Sequence, residues 1–84
     1  MNTWFVYILL CRDTSLYTGA SPDPEERFLT HQKGKGSKYT RSHPPLKLVY
    51  QEACGTHSNA LKRELEIKSW SREKKITQLG LILT

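Results

Sequence analysis

An unbroken apolar run, Trp4-Phe5-Val6-Tyr7-Ile8-Leu9-Leu10, constrains this chain more than any other feature. Both alternating faces of an extended segment would be apolar, and β-formers dominate it. The run therefore reads as a strand covered on both sides rather than a surface strand. Such a strand belongs at the centre of a sheet. It falls far short of the ~20 residues that cross a bilayer, and it lacks the basic flank and small-residue cleavage site of a signal peptide. A cytoplasmic protein without a membrane segment is the expectation.

With 84 residues there is room for one domain, expected to span 1–84. Cys11 to Ser15 reads as a turn, and Leu16-Tyr17-Thr18-Gly19-Ala20 as a second strand returning beside the first. Tyr7 and Tyr17 are expected to project from the same face of this hairpin, which needs a register, free of bulges, in which directly opposed residue numbers sum to an even value. Asp23 caps a helix with Pro24 at its first position and Glu26 at its third, running to about Lys33. Gly34-Lys35-Gly36-Ser37-Lys38 ends that helix and opens a basic, polar loop carrying Tyr39, Arg41 and His43 before Pro44-Pro45. Leu46 to Tyr50 alternates as a third strand. Gly55-Thr56-His57-Ser58 supplies turn and capping residues for a second helix through about Ser69, and Ser71 restarts a third over Arg72 to about Leu79. The last residues form a tail that packs or frays.

Lys and Arg number 13 against 8 Asp and Glu, a net charge of +5 that favours a polyanionic partner, with nucleic acid foremost. Only Cys11 and Cys54 occur, too few for a disulfide scaffold, and Cys54 with His57 has no second pair to complete a zinc site. Gly34-Lys35-Gly36-Ser37 departs from the phosphate-binding loop pattern, and neither the KH clamp nor an RNP-like aromatic run is present.

The second helix holds the sharpest anomaly. At 100° per residue, Ala60, Leu61, Leu65 and Ile67 define an apolar arc of about 160°, and Glu64 falls inside it while Glu66 points the other way. An inward carboxylate needs a cation. Lys68 at i+4 can supply one, a surface pair that stabilises by ~0.2–0.5 kcal/mol; a metal ligand or catalytic acid is the functional alternative. In the first helix Arg27 and His31, four apart, share a face and offer two phosphate-competent groups, although such a pair is also common on a solvated surface. Tyr7 and Tyr17 are either core fillers with satisfied hydroxyls or members of a site.

Taken in order, Tyr7 in Phe5-Val6-Tyr7, Leu16-Tyr17-Thr18-Gly19, Arg27 with His31, and Glu64 in Ala60 to Lys68 resemble the GIY-YIG nuclease domain, especially its short single-domain bacterial branch. His31-Gln32-Lys33-Gly34-Lys35-Gly36, Lys38-Tyr39-Thr40-Arg41 and Leu48-Val49-Tyr50 add to the likeness, which covers roughly residues 4–75. The literal first motif is replaced by Phe5-Val6-Tyr7 and the second by Tyr17-Thr18-Gly19, swaps that spare the chemical groups. Asp13-Thr14-Ser15 lacks the branch's common turn glycine, and Ala20-Ser21 stands for its usual Ile-Thr.

The resemblance implies an α+β fold, a small three-stranded antiparallel sheet flanked by helices in the order β-β-α-β-α-α. It also implies a metal-dependent endonuclease hydrolysing DNA phosphodiester bonds, structure-directed or weakly sequence-selective, with a setting in DNA repair or recombination. Glu64 would bind one divalent metal, Mg2+ or Mn2+, and Arg27 would contact the scissile phosphate. Tyr7 and Tyr17, assisted by His31, would activate water, with His31 taking a proton from Tyr17 or the water, or giving one to the leaving oxygen. Lys33, Lys35, Lys38, Tyr39, Arg41 and Lys68 are the expected nucleic-acid contacts. A protein partner would supply specificity in the absence of an attached DNA-binding domain. The alternative is a non-catalytic nucleic-acid-binding module that keeps the fold.

Overall fold

The computed structural model describes residues 3–83; residues 1, 2 and 84, the ends of the expected single domain, lie outside the described residues. Strands β1 (Trp4–Cys11) and β2 (Leu16–Ser21) form the expected hairpin. Helix α1 (Pro24–Gln32) follows, then a short helix α2 (Lys38–Ser42), strand β3 (Pro45–Gly55), and helices α3 (His57–Lys68) and α4 (Arg72–Leu79). The three strands form one antiparallel sheet in the order β2-β1-β3, so the apolar run is the central strand.

The side-chain oxygens of Asp23, Thr56 and Ser71 each accept an amide hydrogen bond at the start of α1, α3 and α4. Two elements differ from expectation. The basic segment is not all loop, because Ser37 accepts from the Thr40 amide at 3.2 Å and closes one helical turn over residues 38–42. Strand β3 continues past Tyr50 because β1 offers it partners to its far end, where Phe5 faces Ala53 and Trp4 faces Gly55.

Even-numbered β1 residues point to one face of the sheet. There Val6 and Ile8 meet Ala60 and Ile67 of α3 and Leu81, with Trp70, Ile76 and Leu79 packed around them. Each fully buried aliphatic side chain contributes about 1.5–3 kcal/mol. The apolar arc expected on α3 is corrected here: Leu61 and Leu65 are 44% and 69% exposed. Residues from α4 and the segment after it complete that core instead, so α3 buries its Ala60–Ile67 line and Glu64 comes to the margin of the buried stripe. Arg63 holds this rotation. Its Nε bonds Glu52 on β3 at 3.0 Å, Nη1 bonds Glu66 at 2.7 Å, and the guanidinium lies 5.3 Å from the Trp70 ring centre.

Candidate active site

The opposite face of the sheet carries the tyrosines. Residues 7 and 19 are directly opposed, as are 9 and 17, so the register sums to an even value. Tyr7 and Tyr17 therefore project to the same side, with ring centres 6.3 Å apart. Gly19 is required by this approach, since a Cβ there would stand 2.6 Å from the Tyr7 hydroxyl.

Helix α1 covers this face and sends down His31, which is only 1% exposed. Its Nε2 lies 2.9 Å from the Tyr7 hydroxyl and its Nδ1 2.7 Å from the Thr40 hydroxyl. The pairing differs from the expectation that His31 would serve Tyr17 or water directly. Tyr17 lies ring against ring with His31 at 4.9 Å, while the central-strand tyrosine, deepest under α1, reaches the ring nitrogen. Nor is the Arg27–His31 pair a solvated surface pair: Arg27 is half-buried beside Tyr7.

Burial sets the protonation states. The Tyr7 hydroxyl is pushed up to about 12 by burial, then by the neighbouring Tyr17; the Arg27 guanidinium opposes the shift, and the Glu64 charge adds to it. His31 is driven down to about 4 by burial and by the Arg27 charge. At neutral pH the pair is a phenol and a neutral imidazole joined by a hydrogen bond.

Beside this cluster Leu16, Tyr17, Thr18, Tyr39, Lys68 and Lys75 line a groove of about 270 Å³. Tyr39 stacks between Tyr17 and His43, at 5.9 and 4.0 Å between ring centres. Burial and the nearby Lys68 charge lower the Lys75 ammonium pKa, so two cations crowd one wall. Glu64, its side chain 16% exposed, is held by Lys68 at 2.6 Å, while Glu66 faces solvent with 57% of its side chain exposed. Thus Tyr7, Tyr17, Arg27 and His31 come together, Lys68 and Tyr39 share the adjoining groove, and Glu64 joins through Lys68 and its charge on Tyr7. Lys33, Lys35, Lys38 and Arg41 are exposed on the neighbouring loop and α2 rather than in the groove lining.

A divalent ion fits this chemistry in one way. Among the described residues no three His, Cys, Asp or Glu side chains cluster. A single half-buried carboxylate that already holds a cation suits a hard ion of the Mg2+ kind, which keeps several waters and takes one or two carboxylates. Glu64 is the residue that would hold it.

Sequence reasoning passed over Thr40 and Gly36 as site residues. A Cβ on Gly36 would stand 2.6 Å from the His31 Cγ and closer still to Nδ1, so the ring fits only against glycine. The usable signal was Ser37 three residues before Thr40, a capping spacing that turns Thr40 inward.

Relatives share this frame. A UPF0213 protein of Staphylococcus saprophyticus is 51% identical over 76 residues, covering 90% of this chain and 93% of its own. Among solved structures, a UPF0213 protein from Bacillus halodurans is 41% identical with a TM-score of 0.59, covering 93% of this chain and 83% of that one. A protein from E. faecalis is 35% identical with a TM-score of 0.64, covering 95% and 85%. No helix among the described residues is long and apolar enough to cross a membrane. Residues 3–77 match the GIY-YIG catalytic domain. With the motif tyrosines on one face, the arginine and histidine above them and the glutamate at the margin of the third helix, the chain belongs to the GIY-YIG catalytic domain family, a nuclease superfamily.

Proposed function

We propose that this protein is a metal-dependent endonuclease that hydrolyses DNA phosphodiester bonds. It would select by DNA structure or with weak sequence preference, and act in the cytoplasm in repair or recombination. The observation that carries this reading is the buried Tyr7–His31 hydrogen bond beside Arg27, one tyrosine ring away from a cation-lined groove.

Arg27 presents a planar fork of donors suited to a nonbridging phosphate oxygen. Glu64 would hold Mg2+ or Mn2+, which would stabilise negative charge developing on the phosphate. Tyr7 meets the attacking water. Because its hydroxyl stays protonated, it takes the water's proton only as its own passes to Nε2 of His31. A phosphate against Arg27 cancels the charge that helps to depress His31, so basicity rises when substrate is in place. Being neutral beforehand, His31 starts as a proton acceptor rather than as the donor to the leaving oxygen. Tyr17, between Tyr7 and the groove, orients the water and the scissile group. Lys68 and Tyr39 hold the strand in the groove, Lys33, Lys35, Lys38 and Arg41 track its backbone alongside, and a protein partner supplies further specificity.

The test is cleavage of branched, nicked, single-stranded and duplex DNA with Mg2+, with Mn2+ and with chelator. Glu64→Gln is expected to abolish cleavage and leave DNA binding intact or tighter, and Glu66→Gln to be nearly silent. Cleavage by Glu64→Gln at the wild-type rate refutes the assignment. One observation favours a non-catalytic binding module: Lys68 already satisfies Glu64 at 2.6 Å. DNA binding without cleavage of any of these substrates would select that reading.

A further inference from the structure

Nδ1 of the buried histidine faces a hydroxyl that the proposed reaction does not use. Thr40 is 1% exposed, and its Oγ1 stands 2.7 Å from His31 Nδ1, 3.0 Å from Ser37 Oγ and 3.3 Å from the Ser37 carbonyl. Tyr7, on the other side of the ring, is 1% exposed, and His31 Nε2 is the one partner its hydroxyl has among the described hydrogen bonds. The Tyr7 proton therefore goes to Nε2. A neutral imidazole with Nε2 as acceptor carries its proton on Nδ1, and that proton goes to Thr40, whose own hydroxyl hydrogen goes on to Ser37. Every proton in the chain then has an acceptor. The other tautomer directs Nε2–H at the Tyr7 oxygen and leaves the buried Tyr7 proton without an acceptor among the described hydrogen bonds. Gly36 closes the ring from one side, so no larger side chain can replace Thr40 as the Nδ1 partner by approaching there.

We propose that Thr40 is a positioning residue: anchored by Ser37, it fixes His31 as the Nδ1–H tautomer and so keeps the Nε2 lone pair facing Tyr7. The value of this to catalysis rests on the nuclease reading; the tautomer itself does not. In the reaction the Tyr7 proton forms the bond to Nε2 while the Tyr7 oxygen gains the proton lost by water. The resulting imidazolium still donates Nδ1–H to Thr40, and the proton count is unchanged.

The experiment uses the whole chain with 15N-labelled histidine, without DNA or metal, at neutral pH. Long-range 1H–15N correlations are expected to show His31 Nδ1 with the shift of a protonated nitrogen and Nε2 with that of a bare one. Thr40→Val, which keeps the shape and removes the hydroxyl, should mix the tautomers. Thr40→Ser should restore the wild-type pattern, and it serves as the reporter if the valine variant does not fold. In the cleavage assay Thr40→Val should lower kcat about tenfold or more with KM little changed, within the roughly hundred- to ten-thousand-fold that positioned proton transfer supplies, and Thr40→Ser should recover most of it. An Nε2–H tautomer in the wild type, or a folded Thr40→Val with the wild-type pattern, overturns the proposal. A wild type with the Nδ1–H tautomer but no cleavage of any DNA refutes the nuclease reading and leaves the Thr40 assignment standing.

Discussion

Acid should unfold this protein partly through His31, and the size of the effect follows from where the ring sits. In an unfolded chain the imidazole titrates near 6.5, whereas burial and the Arg27 charge drive it to about 4 in the fold. Between those values the unfolded chain binds a proton that the folded chain refuses. Stability therefore rises with pH across this window: it is present in full above pH 6.5 and is lost as the pH falls towards 4. At roughly 1.4 kcal/mol per unit, the shift corresponds to about 3 kcal/mol, a large share of the ~5–15 kcal/mol that holds a small domain together. Urea unfolding from about pH 7 to about pH 4, for the wild type and for His31→Gln, isolates the contribution. The variant loses hydrogen bonds at every pH but cannot charge, so its stability should fall less steeply on acidification. Carboxylates such as Glu52 act in both proteins and cancel in the difference. Parallel curves, or an NMR titration of His31 near 6.5, would refute the burial argument.

Two further perturbations follow from the same geometry. Gly36→Ala should cost about 1–3 kcal/mol, as overpacked sites do, and should break the His31–Thr40 contact, because its Cβ would meet the His31 ring; thermal melting and the His31 nitrogen shifts report both effects. DNA binding should weaken steeply with salt, by a slope of ~0.9 per duplex phosphate contact in log K against log salt, and replacing Lys35, Lys38 and Arg41 together by Ala should flatten it; an unchanged slope would remove this exposed basic segment from the contact surface.

The central strand, the hairpin parity that aligns Tyr7 with Tyr17, the capped starts of α1, α3 and α4, and the outward Glu66 were legible in the chain itself. Each follows from local rules: alternation, capping chemistry and helical spacing involve residues close in sequence. What surrounds each site residue required the fold. Helical spacing puts Arg27 and His31 on one face, open to a site or to solvent alike, until α1 is laid over a sheet face whose deepest residue is Tyr7, and only then do burial and a guanidinium make the histidine neutral. Leu61 and Leu65 looked like core because the helix alone cannot know that α4 and Leu81 will fill that side of the sheet. Thr40, nine residues from His31, reached Nδ1 only because a glycine let the chain close against the ring. Periodicity thus determines which residues share a face, whereas their partners, and through desolvation their protonation states, depend on which faces meet.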